Sequence, residues 1–341
     1  MSNLETSISS DNSNRIQKED IVNTKATILF EASVIGARHV QDRSVCQDAA
    51  LSHLTDDGML IVAVADGHGD KKHALSHIGS RLAVATAVEL IEIALRDVIV
   101  QSHKNTFQIQ KELQLQLPKR IHYEWKKRIL EEISKDRTDD DSTEFVIEEF
   151  EEENLKEQVI LYGTTLLAVG LFQGHMLCFQ LGDGDIFILT TREQEFDEQS
   201  ADDAFQQLID AEQSGLEQEE TKQADKELEV TKFLLGRDDL YGSLTYSLCQ
   251  PNNQNMAQIY YGKHPKQGIL SLSTDGFRDC VGGGNQDFDR VMRWIYQKIE
   301  HDRNFTTHLP QWIGQVSFKG NGDDISLVIV DINDFFRKKG E

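Results

Sequence analysis

The chain of 341 residues has few cysteines, few prolines and no long apolar run. Its four cysteines, Cys46, Cys178, Cys249 and Cys280, are widely separated, and no pair has the spacing of a zinc site or a redox motif. We therefore expect free, buried thiols in a reducing compartment. No stretch approaches the ~18–20 consecutive apolar residues of a membrane span, and the polar N-terminus lacks an apolar signal core. The sequence predicts a cytoplasmic protein without a membrane segment.

Positive charge is also scarce, with 35 Lys and Arg against 58 Asp and Glu and a net charge of −23. Residues 131–157 carry 13 acidic and 3 basic side chains, and residues 191–230 carry 14 and 3. These two segments hold nearly all of the excess charge, so we interpret them as acidic insertions that form solvated surface or flexible linker. A docking surface for a basic partner protein is the alternative. Nucleic-acid binding is disfavoured because phosphate backbones require a basic footprint.

Polar composition predicts a disordered leader over residues 1–24, and the rest of the chain is long enough for one large domain or two small ones. Runs rich in β-branched residues predict strands at 26–35, 49–53, 59–65, 159–172, 176–181, 185–190, 243–249, 259–261, 268–274 and 325–332. Helical spacing predicts helices at 73–100, 106–133 with a split near Pro118, 288–302 and 307–318. Because the strands come in hairpins and the helices in blocks, the pattern favours an α+β fold over an alternating α/β fold.

Aspartates recur where the apolar strands meet glycine-rich turns. They are Asp48, Asp66 in DGHGD, Asp183 in LGDGD, Asp275 in LSTDGF, and Asp323 with Asp324 in GDDISL. Such carboxylates cannot ionise side by side unless some pKa values rise, and a bound cation removes that penalty. Carboxylates without histidine or cysteine partners select Mg²⁺ or Mn²⁺. The set fits a two-metal centre that activates water for attack on a phosphoryl group.

Other metal sites are weaker interpretations of the same sequence. DGHGD on its own could be a simple turn, and Asp183-Gly184-Asp185 lacks the downstream glutamate of an EF-hand loop. His73 and His77 have the i, i+4 spacing known from zinc sites, but no third ligand is evident. We expect both to be exposed helix histidines.

Six motifs lie in order along the chain: QDA at Gln47, VADGHGD at Val64, YGTTL at Tyr162, LGDGD at Leu181, LSTDGF at Leu272 and GDDISL at Gly322. In this order the chain resembles the metal-dependent PP2C-type (PPM) protein serine/threonine phosphatases. It is most similar to the branch whose first motif runs through a histidine and ends in Gln-Asp. The resemblance implies one domain over residues 25–335 that contains both acidic insertions. Its fold would be a four-layer α/β/β/α sandwich, in which two antiparallel sheets are flanked by helical pairs.

The resemblance also implies a ligand set for two Mn²⁺ or Mg²⁺ ions. Asp66 would bridge both ions, and the carbonyl of Gly67 would bind one of them. Asp275 and Asp323 would complete the shell of the first ion. Asp48 would lie beside the second ion, bound directly or through water. A hydroxide that bridges the metals would be the nucleophile, so no side chain would be phosphorylated.

Three further roles follow from the resemblance. Asp183 matches a third, weaker metal site, and His68 matches the general acid that protonates the leaving oxygen. The phosphate-binding arginine of the family falls at Arg43, with Arg38 or His39 as alternatives because the surrounding spacing is loose.

The first and last motifs also depart from the family pattern. Gln47 replaces the usual glutamate, so we expect weaker binding of the second ion. The final motif commonly reads Asp-Asn, whereas this chain has Asp-Asp; the register favours Asp323 as the ligand, with Asp324 as the alternative.

The sequence therefore favours an active enzyme that hydrolyses phosphoserine and phosphothreonine in proteins as part of signal transduction. A catalytically weak binding or scaffold protein in a signalling complex is the main alternative, and a hydrolase for a phosphorylated metabolite is a third. We expect phosphoprotein substrates, a cognate Ser/Thr kinase as a candidate partner, and a monomer, because one complete site is encoded.

Overall fold

A computed structural model describes residues 27–101, 104–138, 158–191, 228–233, 245–265, 268–281 and 285–332. The predicted leader and most of both acidic insertions, 139–157 and 192–227, lie outside the described residues. The edges of the predicted insertions are described, and they belong to regular elements: residues 131–138 lie in a helix and residues 228–230 in a strand. The predicted domain boundaries therefore stay predictions.

Ten strands form two sheets in the described part of the chain. They are β1 (Thr27–Val34), β2 (Ala49–Leu54), β3 (Leu60–Ala65), β4 (Leu166–Phe172), β5 (His175–Leu181), β6 (Asp185–Thr191), β7 (Leu228–Phe233), β8 (Gln258–Lys263), β9 (Ile269–Ser273) and β10 (Ile325–Asp331). Sheet I has the order β1-β10-β9-β6-β7, and sheet II has the order β2-β3-β4-β5-β8. Every strand pair is antiparallel.

Two pairs of long helices cover the outer faces of the two sheets, and two short helices lie in the connections between strands. They are α1 (Ala37–Asp42), α2 (Ser76–Val100), α3 (Thr106–Thr138), α4 (Asp275–Cys280), α5 (Asn285–His301) and α6 (Leu309–Lys319). One apolar cluster joins α2 and α3 to sheet II, a second joins α5 and α6 to sheet I, and a third lies between the sheets. The predicted α+β fold with four α/β/β/α layers is confirmed.

Strand β3 shows why the apolar runs form central strands. Leu60, Val62 and Val64 face the core between the sheets, while Ile61 and Ala63 face α2 and α3. A strand with both faces covered reads as a continuous apolar run because successive side chains point to opposite faces.

Helix α3 continues through Pro118, so the predicted split is wrong. The flanking Leu117 and Ile121 are both buried in the cluster that α3 shares with sheet II. Trp125 is also buried, and its Nε1 donates a hydrogen bond to the carbonyl of Gly79 in α2 at 3.0 Å. This packing holds the helix together despite a proline cost of about 3 kcal/mol.

Other segments differ from the prediction where side chains bind the backbone. Residues 158–160 are helical and lead through a turn and an isolated bridge at Thr164 into β4, and residues 245–249 are irregular instead of a strand. In these segments Ser247 Oγ donates to Thr164 O at 3.1 Å and accepts from Thr164 N at 3.1 Å. Helices α1 and α4 and strand β7 were not predicted.

Among the described residues, no helix combines the length and the hydropathy that a membrane span requires. All four cysteines are free, and Cys178 is buried between the two sheets, while the other three are partly exposed.

Candidate metal centre

The aspartates that the sequence singles out gather at one end of the sandwich. Asp66 directly follows β3, and Asp275 lies two residues after the end of β9. Asp183 lies two residues before β6, and Asp48 and Asp324 directly precede β2 and β10. Because neighbouring strands run antiparallel, the end of β3 lies beside the start of β2, and the end of β9 lies beside the starts of β6 and β10.

Asp66, Asp183 and Asp275 form an acidic triad. Each offers a carboxylate oxygen, and the three oxygens lie within 4.8 Å of one another. Burial raises the pKa of both Asp66 and Asp275 well above the usual range, and nearby carboxylates raise them further. The two carboxyl groups also act directly on each other, so a proton or a cation between them would relieve the repulsion of two adjacent anions. The triad fits a hard divalent cation, since such ions bind carboxylate oxygens and replace that proton.

The backbone of Asp66 is fixed by the turn that precedes β4. Thr165 N donates to Asp66 O at 2.8 Å, and Thr165 Oγ1 accepts from Asp66 N at 3.0 Å. Thr164 Oγ1 also donates to Asp66 O at 2.8 Å. The Tyr162-Gly163-Thr164-Thr165 motif therefore holds Asp66 at the end of β3.

Asp48 is buried beside the triad. Its Oδ2 accepts a hydrogen bond from Thr274 Oγ1 at 2.7 Å, and the same oxygen of Thr274 accepts from Ser326 N at 2.9 Å. Burial raises the pKa of Asp48 well above the usual range; the Thr274 hydrogen bond opposes this, while the charges of Asp324 and Asp275 add to it. A cation at this end of the sandwich would favour its ionised form.

The turn that carries Asp183 is held by side chains that hydrogen-bond to its backbone and to the Asp183 carboxylate. Gly182 has a positive φ of 116°, a conformation that glycine adopts without strain. Gln180 Nε2 donates to the carbonyls of Gly182 and Gly184 at 3.3 and 2.9 Å. Thr245 Oγ1 donates to Asp183 Oδ2. These contacts orient the Asp183 carboxylate towards Asp66 and Asp275.

A buried ion pair ties two triad segments together. Asp185, at the start of β6, is fully buried and pairs with Arg278 of α4. Arg278 also lies over the ring of Phe288, 6.0 Å from its centroid. Since Asp183 lies two residues before Asp185 and Asp275 is the first residue of α4, the pair fixes their relative position.

Asp323 lies at the solvent-facing side of the centre. Its side chain is 45% exposed, and its Oδ2 lies 3.3 Å from an Arg38 guanidinium nitrogen. Its charge acts on Asp48 and Asp66. Within the described residues, the acidic triad does not include Asp323 or Asp48.

A family model described as protein phosphatase 2C matches residues 35–314. The chain belongs to the protein phosphatase 2C family. The resemblance seen in the six motifs is thereby confirmed.

Several solved structures are similar to this family member at low identity. A C. elegans sex determining protein has 16% identity and a TM-score of 0.47, with 91% of this chain and 65% of that chain covered. The S. agalactiae serine/threonine phosphatase has 17% identity and a TM-score of 0.43, with 89% and 98% covered. The catalytic domain of the phosphatase PstP in complex with two manganese ions has 14% identity and a TM-score of 0.45, with 88% and 96% covered. A search of the curated proteins finds no match.

His68 of this protein phosphatase 2C member packs against a second histidine. The ring centroids of His68 and His73 are 4.8 Å apart, and His73 Nδ1 lies 2.5 Å from Ile160 O. A Cβ atom on Gly163 would lie within 3 Å of both rings, so a glycine is needed there. Burial, followed by the charges of His73 and Lys72, lowers the pKa of His68 to about 4. The expectation that His73 is exposed is wrong, because it is 6% exposed and precedes α2.

The three candidate phosphate ligands have different surroundings. Arg38 is paired with Asp323, as described above, and its side chain is 60% exposed. His39 is mostly buried, with its Nδ1 2.8 Å from Asp324 Oδ1. Arg43 is exposed and ends α1 with a left-handed backbone at φ 54°. Arg38 is the candidate in contact with a residue of the proposed ligand set.

Gly67 brings two chain segments together behind Asp66. A Cβ atom there would lie 2.4 Å from Gln47 O, so only glycine permits this approach. Gln47 O also accepts a hydrogen bond from Ser80 Oγ at 2.6 Å. The contact draws the segment before Asp48 against the Asp66 turn.

Sequence reasoning missed four residues near the centre. Thr245, Thr274 and Arg278 each hold a carboxylate described above. Asp279 follows Asp275 by four residues on α4, and its pKa is raised by burial and by the charges of Asp183 and Asp323, against the effect of Arg278. The i, i+4 spacing of Asp275 and Asp279 could have indicated this last residue, since such residues share a helix face.

Proposed function

We propose that this chain is a metal-dependent phosphatase that hydrolyses phosphoserine and phosphothreonine in proteins. The observation that carries the proposal is the acidic triad at one end of a protein phosphatase 2C sandwich. Asp66, Asp183 and Asp275 would hold Mn²⁺ or Mg²⁺, with Asp48 and Asp323 binding from the sides and Gly67 through its carbonyl. When bound, two divalent ions activate water and neutralise charge on the phosphoryl group.

The other side chains of the site would bind and orient the substrate. Arg38 would bind phosphate oxygens, and its contact with Asp323 supports this role; Arg43 remains the second candidate. Arginine suits the task because its planar guanidinium matches phosphate geometry. When phosphate binds, it would replace Asp323 as the partner of Arg38, so the ion pair between Arg38 and Asp323 would open.

His68 would donate the proton to the leaving oxygen of serine or threonine. A pKa of about 4 makes the imidazole neutral at pH 7 in the metal-free protein. A phosphate dianion nearby would raise this pKa, because an opposite charge favours the protonated form. His73 packs against the ring, and its own contact with Ile160 O supports a fixed orientation for the pair.

Two measurements test the proposal. The first is phosphate release from p-nitrophenyl phosphate and from a phosphothreonine peptide, with Mn²⁺, with Mg²⁺ and with EDTA. We expect metal-dependent turnover that Asp66→Ala reduces by about 10²-fold or more, whereas Asp97→Asn, on an exposed position of α2, has no effect. The second is calorimetric titration with Mn²⁺, for which we expect two or more ions per chain.

Each competing interpretation predicts a different result. A scaffold protein would bind one ion or none and show no turnover with any divalent ion. A metabolite hydrolase would prefer small phosphorylated compounds to phosphopeptides in a substrate panel. Full activity of the Asp66→Ala variant would contradict the proposed centre itself.

The acidic insertion before β7 is proposed to influence access of protein substrates. A deletion that tests this should remove residues 192–227 and leave 228–230 in place, because the latter belong to β7 and pair with β6. We expect the deletion to change KM for a phosphoprotein more than turnover of p-nitrophenyl phosphate. Equal effects on both substrates would contradict a role in access.

A further inference from the structure

A buried carboxylate holds the loop that leads into the proposed centre. Asp324 is 3% exposed. Its Oδ1 accepts a hydrogen bond from Gly36 N at 2.6 Å and lies 2.8 Å from His39 Nδ1, and its Oδ2 accepts from Gln47 N at 2.6 Å. One side chain therefore binds both ends of residues 36–47. The approach is close, since a Cβ atom on Gly36 would lie 2.4 Å from Gly322 O.

Backbone contacts reinforce this attachment. Arg38 N donates to Gly322 O at 3.0 Å, and Ala37 N donates to Ser317 Oγ at 3.1 Å. Ser317 Oγ in turn donates to Asp323 O at 2.9 Å. The loop is thus fixed to the same short segment that carries the proposed ligand Asp323.

The loop carries two side chains of the proposed site. Arg38 reaches Asp323 from one part of the loop, and Asp48 follows Gln47 at its other end. A carboxylate suits the position better than an amide, because each of its two oxygens accepts a hydrogen bond from a backbone N–H, with the His39 ring close to one of them. An amide would place its own N–H₂ group against one of those donors.

We propose that Asp324, together with His39, is a positioning pair for the phosphatase site and not a metal ligand. It fixes residues 36–47 so that Asp48 and Arg38 face the acidic triad. The inference rests on the proposed function, because the positions it sets matter only if the centre binds metal and phosphate. Groups that orient metal ligands typically change metal affinity or activity by about 10–100-fold when they are replaced.

The test compares Asp324→Asn, His39→Gln and the double variant with the wild type. In EDTA, hydrogen exchange of the Gly36 and Gln47 amides should rise by about 10-fold or more in Asp324→Asn. Calorimetry should show Mn²⁺ binding weakened by about 10-fold or more, and KM for p-nitrophenyl phosphate should rise with it. His39→Gln should have a smaller effect, and the double variant should resemble Asp324→Asn, because the two residues act as a unit.

Met292→Ala is the matched stability control. Met292 is buried in the cluster between α5 and sheet I and takes no part in the hydrogen bonds that hold residues 36–47, so this variant should lower the melting temperature without changing Mn²⁺ affinity. If Asp324→Asn does not fold, the positioning role is tested with His39→Gln alone, through hydrogen exchange, Mn²⁺ calorimetry and KM.

Three results would overturn the inference. Loss of one bound Mn²⁺ from Asp324→Asn, with unchanged loop exchange in EDTA, would make Asp324 a ligand. If Asp324→Asn shows faster hydrogen exchange in residues 36–47 but binds Mn²⁺ with an affinity within twofold of the wild type, then Asp324 and His39 have only a structural role. A wild-type protein that binds no Mn²⁺ would contradict the proposed function and the positioning role together, while the exchange result would still show whether Asp324 holds the loop.

Discussion

Replacing Asp275 with asparagine should stabilise the metal-free protein and weaken its stabilisation by Mn²⁺. The triad oxygens lie within 4.8 Å of one another, and two unit charges at 4.8 Å repel by about 3.5 kcal/mol at an effective dielectric constant of ~20. Partial protonation of the raised carboxyls already relieves some of this repulsion. We therefore expect the substitution to raise the free energy of unfolding in EDTA at pH 8 by about 1–2 kcal/mol, or ~2–8 °C in melting temperature.

Mn²⁺ should reverse the order of the two proteins. At 100 times its dissociation constant, an ion stabilises the folded wild type by about 2.7 kcal/mol per site, and the Asp275→Asn variant should gain less because it has lost a ligand. The assay is thermal unfolding with EDTA and with a Mn²⁺ series, with Asp97→Asn as the control. A variant that is less stable than the wild type in EDTA and shows an unchanged Mn²⁺ shift would contradict both the repulsion within the triad and the ligand role of Asp275.

Three further variants or conditions give independent checks. The pKa values of Asp48 and Asp66 are raised in the folded state, so their protonation stabilises the metal-free protein below about pH 4, and this contribution is lost as the pH rises. Urea unfolding in EDTA should therefore show a free energy of unfolding that falls with rising pH, and the fall should be smaller in Asp66→Asn. Arg278→Met removes the cation that pairs with the buried Asp185, so the free energy of unfolding measured in urea should fall by about 3–5 kcal/mol. Adding Asp185→Leu to this variant should restore most of the loss, because no uncompensated buried charge then remains. Thr274→Val should cost about 1–3 kcal/mol and weaken Mn²⁺ binding in calorimetry; unchanged binding would contradict the role given to its contact with Asp48.

Most strands could be predicted from the sequence, and so could the gathering of strand-end aspartates that includes Asp66, Asp183 and Asp275, because both depend on local patterns. Apolar runs such as residues 60–65 have few alternatives to a central strand when both faces are buried. An aspartate at the end of such a strand is then carried to the edge of the sheet. The antiparallel order brings Asp66, Asp183 and Asp275 to the same end, so the grouping follows from the motifs once the family is known.

The contacts that hold these aspartates could not be predicted, because they join distant parts of the chain. Asp324 and Gly36 are separated by 288 positions, and Thr274 and Asp48 by 226. No periodicity reports such a contact. At Pro118 a local signal was misleading. Proline predicts a break in the helix, but the burial of Leu117 and the residues around it keeps α3 continuous.

The most direct test of the proposed function is the initial rate of phosphate release from a phosphothreonine peptide as Mn²⁺ is added to protein first treated with EDTA. We expect no release in EDTA and a rate that rises with Mn²⁺ until the centre is saturated. No release at any Mn²⁺ or Mg²⁺ concentration, or an equal rate in EDTA, would contradict it.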